Sequence, residues 1–217
     1  KSGDPSLKYK KRALDAGIQA ARYNYLLFTD VDCSFSSSWL NTMKFYFNKG
    51  YDYLVGYSII SDNNKFNYTS SFQRVDFLLL MIMCRASSFF GSPWASSGQN
   101  QGFKKEFYNK VGGYKQISNF LGDDTAFLQL CKKRGAKSCF VDEQSACVFS
   151  RQESQISNFL LQRIRWISDA NQLWRIDFNF FIIFFLTFLF FISLPIIIIN
   201  TVLSYHIILF LIFIKIS

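Results

Sequence analysis

The chain has 217 residues, enough for one domain with a real core and an appendage. Its formal net charge is +9, yet nearly every Lys, Arg, Asp and Glu precedes Phe178 and only Lys215 is charged after it, so the basic part suits anionic lipid, a phosphate-bearing substrate or, on charge alone, nucleic acid. The single histidine, His206, lies in the apolar tail, which excludes Ser-His-Asp and Cys-His catalysis in this sequence and leaves any metal to oxygen ligands, while five cysteines without a close CxxC pair fit neither a zinc site nor a disulfide framework.

The chain opens on Lys1 and a polar run, so no signal peptide is expected, and a sequence without an initiating Met reads as N-terminally truncated. Residues 13–21 have helical spacing, with basic residues 8–12 leading into them. Residues 25–29 form a short apolar run ending at Asp30, which predicts a buried strand with carboxylates at its C-terminal end. A helix follows over 38–47, a strand over 53–60, and an apolar helix over 72–84 placed against lipid or core. Residues 98–114 read as turns around a short helix at 104–111. A helix over 124–134 closes at Gly135, and residues 137–149 supply one or two strands.

An amphipathic helix over 154–174 then leads into an almost wholly apolar stretch, residues 178–214. That stretch is too long for one crossing of about 20 residues, so a transmembrane hairpin is expected, 178–199 and 201–214, broken near Pro195, Asn200 and Ser204. A single tilted span is the alternative. Arg163, Arg165 and Arg175 before it and Lys215 after it place both ends in the cytoplasm, which makes the sequon at Asn67 a chance match. Three parts are expected: 1–153, 154–177 and 178–217. Alternating strands and helices in the first predict an α/β sheet whose ligands gather at the carboxyl ends of its strands.

Three constellations carry chemistry. Asp30-Val31-Asp32 follows the first strand, and its paired carboxylates suit Mg²⁺ or Mn²⁺, although a solvated turn would look similar. Asp123 and Asp124 open a helix, where they either cap it or act as a general base. Gln162, Arg165 and Trp166 sit three and four apart, giving a guanidinium for phosphate and an indole for a sugar ring, or else ordinary juxtamembrane anchors.

In this order the three motifs resemble the family 2 glycosyltransferases. Lys10-Lys11-Arg12-Ala13-Leu14 with Gly17-Ile18 is similar to that family's basic segment ahead of the DxD strand. Residues 98–106, followed by Val111-Gly112-Gly113-Tyr114, are similar to its GxNxxFRKExF…VGG(F/Y) stretch. The resemblance implies a GT-A fold, a mixed Rossmann-like sheet flanked by helices, with inverting transfer from a nucleotide-diphosphate sugar to a polysaccharide or glycan acceptor. It further implies that Asp32 holds a metal on the diphosphate, with Asp30 on the metal or the donor ribose, and that Asp124, beside Asp123, is the base. Lys10, Lys11, Gln162, Arg165 and Trp166 would bind the donor and the acceptor end. The partners implied are a nucleotide sugar, a saccharide or lipid-linked acceptor and membrane lipid, with no nucleic acid. The setting implied is an integral membrane protein with a cytoplasmic catalytic domain, as in a bacterial inner membrane. The family's first strand and nucleotide-base aspartate are expected upstream of Lys1. A lipid glycosyltransferase similar to ceramide glucosyltransferases, a non-catalytic membrane scaffold and a sugar nucleotidyltransferase are the competing readings.

Overall fold

The computed structural model describes residues 3–61, 67–153, 155–173, 178, 185, 189, 193 and 196–205. Contacts divide the chain into two compact units, Lys1–Ile176 and Asp177–Ser217. In the second unit, residues 196–205 are helical and exposed, and the rest of the expected hairpin lies outside the described residues. Among the described residues, no helix is long and apolar enough to cross a membrane.

The first unit is a mixed α/β fold. It starts with α1 (Tyr9–Ala20), which begins earlier than expected because Lys10, Lys11 and Arg12 are good helix formers and continue the turn that buries Ile18. The strand β1 (Tyr25–Phe28) follows, then the short β2 (Ser34–Phe35) and α2 (Trp39–Asn48). Trp39, Met43 and Phe47 recur at helical spacing on α2 and bury against Leu54, Val141 and Val148. Next come β3 (Tyr53–Gly56), β4 (Ser58–Ile60) and the long α3 (Tyr68–Phe89). The unit closes with β5 (Gln101–Lys104), α4 (Lys105–Lys110), α5 (Thr125–Lys133), β6 (Ser138–Val141), β7 (Val148–Ser150) and α6 (Ile156–Leu173).

One sheet runs β1-β5-β3-β6, with β5 antiparallel to both neighbours and β3 parallel to β6. The other runs β2-β7-β4, antiparallel then parallel. Three expectations change here. The run 25–29 is an edge strand with partly exposed side chains rather than a buried one, because only β5 pairs with it among the described residues. The run 53–60 is two strands in different sheets: Tyr57 breaks it, and its carbonyl accepts from Val148 N–H as the chain passes from one sheet to the other. Residues 101–104, expected as turn, form a strand inside the first sheet, flanked by β1 and β3.

Asn100 ties these pieces together. It is fully buried, its Oδ1 accepts from Trp39 Nε1 at 3.0 Å, and its Nδ2 donates to the Tyr57 and Ala146 carbonyls, each at 2.8 Å. One side chain thus joins α2, the crossing between the sheets and the loop before β7. Gly56 is the residue that admits it, since a Cβ there would lie 2.2 Å from the amide carbon.

Asn100→Ala should strand the Trp39 indole N–H and the Ala146 carbonyl in the core and leave the Tyr57 carbonyl only its bond from Val148 N–H, at a cost on the order of 3 kcal/mol. Urea denaturation should show it as a lower midpoint with an unchanged slope.

Candidate functional site

The antiparallel insertion of β5 decides what meets at one end of the first sheet. Phe28 and Val55 both lie opposite Gln101, so the residues after β1 and those before β5 leave the sheet at the same edge. Asp30 comes from the first group and Gly98 from the second.

Past β1 the chain turns at once, with Cys33 N–H donating to the Asp30 carbonyl at 3.1 Å. Val31 is fully exposed at the tip, Asp32 is exposed, and Asp30 is half-buried. The turn that was the alternative to a cation site is therefore present, with both carboxylates on it.

The loop before β5 is stitched to the start of α5. Thr125 Oγ1 donates to the Ser96 carbonyl at 3.0 Å, and Ser96 N–H returns a bond to Thr125 Oγ1 at 3.1 Å. Tyr53, buried on β3, donates to Gln101 Oε1 at 2.5 Å, and Ser96 Oγ shares that acceptor at 3.0 Å. This scaffold fixes Asp124. One carboxyl oxygen accepts from Thr125 N–H at 2.6 Å and the other from Gly98 N–H at 3.1 Å. Asp124 is thus the N-cap of α5 and something more, because capping engages only one of its oxygens.

Lys10 of α1 supplies the countercharge. Its ammonium lies 3.2 Å from Asp30 Oδ1 and 3.4 Å from Asp123 Oδ1. Gly98 closes the ring: a Cβ there would lie 3.2 Å from Lys10 Nζ, 3.8 Å from Asp124 Oδ2 and 4.0 Å from Asp30 Oδ1. A bare backbone is what lets three carboxylates and an ammonium crowd together. Asp123 is buried, and its Oδ2 has no hydrogen-bond partner among the described residues, so one acceptor in the cluster is unsatisfied.

The electrostatics follow. Burial raises the Asp124 carboxyl and the Asp123 charge raises it further, while the two backbone N–H bonds and Lys10 pull it back, leaving it near 6. Burial tends to lower Lys10, but the Asp123 and Asp30 charges outweigh that and hold it above its usual value. A carboxylate that titrates near neutrality and is held by both oxygens has the properties of a general base.

Lys10, Asp30, Asp123 and Asp124 therefore converge, and Asp32 sits on the same turn as Asp30. Lys11 does not join them: it is buried and donates to the Ile117 carbonyl at 3.0 Å and to that of Phe120, tying α1 to the segment ahead of α5. Gln162, Arg165 and Trp166 lie on α6, which packs on α3. The motif spacing also hides a neighbour. Arg163, not Arg165, is the half-buried arginine of α6, ion-paired with Asp76 and 4.1 Å from the Trp166 ring centre. Its position four residues beyond Phe159 is the one sequence signal of that role. A separate cavity of about 1050 Å³ opens on the opposite side of α1, lined by Asp15, Gln19 and Tyr108, and the acidic cluster takes no part in it.

No group of three or more His, Cys, Asp or Glu among the described residues could cage a metal. Two carboxylates on one exposed turn still fit a hard cation, because such ions commonly take one or two carboxylates and fill their shell with water and phosphate oxygens.

A family model described as "Glycosyl transferase family group 2" matches residues 35–216. The match takes in Asp123, Asp124 and α6 and begins just after the Asp30–Asp32 turn. No curated protein matches the chain. Among solved structures, the mannosyltransferase PcManGT from Pyrobaculum calidifontis, in complex with GDP-Man and Mn²⁺, is similar at 16% identity and a TM-score of 0.53. The alignment covers 75% of this chain and 41% of that one, so the similarity extends to the mixed α/β fold.

Lys10→Met should move the Asp124 titration upward from about 6, since it removes the positive charge that favours the carboxylate. Carboxyl-carbon NMR followed against pH reads the shift directly.

Proposed function

The chain belongs to glycosyl transferase family group 2, and we propose that it transfers a sugar, with inversion, from a nucleotide-diphosphate sugar to a saccharide or lipid-linked acceptor. The observation that carries this reading is Asp124, a carboxyl with both oxygens oriented by backbone N–H groups and a proton affinity poised near 6.

In this reading Asp124 accepts the proton of an acceptor hydroxyl as that oxygen bonds to the anomeric carbon. The bond from that carbon to the diphosphate breaks in the same event, and the leaving group departs on the opposite face. The Thr125 and Gly98 N–H groups, and after them Lys10, hold the Asp124 carboxyl near 6 against its burial and the Asp123 charge. Fixing the base beforehand means that little reorganisation is required as the bond forms.

Asp30 and Asp32 would hold Mg²⁺ or Mn²⁺, which when bound neutralises charge on the departing diphosphate. Support for that assignment is the donor set itself, hard oxygens on an exposed turn. Gln162 and Arg165, on the polar flank of α6, are assigned to the diphosphate and the acceptor end. The apolar residues 178–214 support a cytoplasmic membrane face as the place of transfer.

With a nucleotide sugar and Mg²⁺ or Mn²⁺, the protein should release nucleoside diphosphate, and chelation should stop the release. Asp124→Asn should lower kcat by about 10²–10⁴-fold while leaving donor binding in place. Asp32→Asn should instead abolish metal-dependent donor binding. kcat/KM should rise with pH through about 6 and then level, since the base works only when ionised. Unchanged turnover in either variant overturns the role given to that residue.

A further inference from the structure

We propose that Asp76 and Arg163 are positioning residues for the transfer: their ion pair sets the rotation of α6 on α3 and so aims Gln162 and Arg165. The inference rests on the proposed reaction, in which those two side chains meet the diphosphate and the acceptor end.

Three contacts fix how the two helices lie. The ring centres of Phe72 and Phe159 are 5.8 Å apart, Asp76 is ion-paired with Arg163, and the ring centres of Phe77 and Trp166 are 6.4 Å apart. The partner numbers rise together, so the helices run parallel. At about 100° per residue, Phe159, Arg163 and Trp166 occupy one side of α6 and form the seam with α3.

The two flanks of α6 beside that seam are unlike. In one direction come Asn158, Gln162 and Arg165, all polar, and in the other Leu160, Ile164 and Ile167, all apolar. On α3 the core side is marked by the buried Gln73, Phe77, Met81 and Cys84. For parallel helices, the flank one quarter-turn past the seam on one partner points the same way as the flank one quarter-turn before it on the other. The polar flank of α6 therefore turns toward the core side of α3. On that side Cys84 feels the Asp124 charge, and beyond it Ser87 Oγ accepts from Trp94 N–H at 3.0 Å, in the loop that carries Gly98. Turning α6 by one residue, about 100° in either sense, would carry both Gln162 and Arg165 off that flank.

The ion pair is what resists such a turn. The start of α6 is held separately, by Gln73 Oε1 accepting from Glu153 N–H at 2.9 Å, which fixes where the helix begins. The ring contacts at the seam are apolar and tolerate sliding. Arg163 does not, because its side chain is only 16% exposed, and its guanidinium sits 4.8 Å and 4.1 Å from the Phe159 and Trp166 ring centres. Its Nε and Nη1 have no hydrogen-bond partner among the described residues, so the Asp76 carboxylate is the group there that answers its charge. A rotation that parted the two would leave a guanidinium buried without a counterion.

The test measures binding of inorganic pyrophosphate with Mn²⁺ to the protein in detergent by calorimetry, with urea midpoints recorded for each variant. Arg165→Ala should weaken binding about tenfold. Arg163→Met, which still fills the seam, and Asp76→Asn, which keeps the shape, should each weaken it several-fold. Arg163→Lys should recover most of the loss, since its charge can still meet Asp76. With Gln162→Ala and Arg165→Ala already in place, adding Arg163→Met or Asp76→Asn should cost no more than about a further twofold, because nothing remains to be aimed. A full additional loss in that background would overturn the positioning role. Unaltered binding in Arg163→Met and Asp76→Asn, with only the urea midpoint lowered, would reduce the pair to packing and overturn it too. If Arg163→Met does not fold, Asp76→Asn decides by the same criteria. Unaltered binding in Arg165→Ala, or none by the parent protein, would overturn this inference together with the diphosphate site proposed above. Loss in Arg165→Ala with none in Arg163→Met or Asp76→Asn would overturn this inference alone.

Discussion

The hydrogen bonds of Asn100 hold the arrangement on which the candidate site depends. They pin the residue just before β5 to the indole of Trp39 and to two carbonyls, from the crossing between the sheets and from the loop before β7. With Asn100 fixed, Gly98 is placed two residues upstream, and its N–H meets Asp124. Nothing on α5 alone would orient both oxygens of that carboxyl. Asn100 never approaches the acidic cluster, yet it sets the position of the backbone donor that the cluster needs. A polar residue so close to the cluster in sequence invites a catalytic role, but burial and a full set of partners make Asn100 a clamp.

A second constraint is electrostatic. Asp30, Asp123 and Asp124 surround a single ammonium in a space that Gly98 leaves open. The Lys10 ammonium contacts two of the three, Asp30 and Asp123, and their charges hold its own pKa above the usual value. Burial, with the Asp123 charge added to it, raises the proton affinity of Asp124, and Oδ2 of Asp123 is left without a hydrogen-bond partner among the described residues. That imbalance, local to one end of the sheet, is what separates this site from an ordinary helix cap.

Much of this was legible in the sequence, for identifiable reasons. Asp30 and Asp32 could be placed because an apolar strand ends directly before them, and Asp123 and Asp124 because a helical pattern begins directly after them. Lys10 came with the basic run ahead of α1. The misplacements have physical causes as well. Gln101 and Gly102 look like turn residues until the amide finds Tyr53 and Ser96 and the missing side chain lets Leu27 approach. Tyr57 hides a change of sheet inside a run of uniform strand character. Lys11 is indistinguishable from Lys10 by composition, but 100° of helix rotation sends it to the carbonyls of Ile117 and Phe120 instead. Arg163 and Arg165 are likewise two residues apart and face different surroundings.

That last pair shows how one helix can carry two unlike flanks. A helix packed along one seam has two free flanks, and a sequence can make one polar and the other apolar without disturbing the packing. On α6 the seam is made by Phe159, Arg163 and Trp166, with the guanidinium 4.8 Å and 4.1 Å from the two ring centres and its charge answered by Asp76. An aliphatic residue at 163 could fill the seam but could not choose a register, because apolar contacts slide. An ion pair between half-buried groups penalises every register that separates its charges. Fixing the register fixes the rotation of α6, and the rotation decides that Gln162 and Arg165 lie on the core side while Leu160 and Ile164 lie on the other. The arginine that no motif names is therefore the one that gives the named ones their direction.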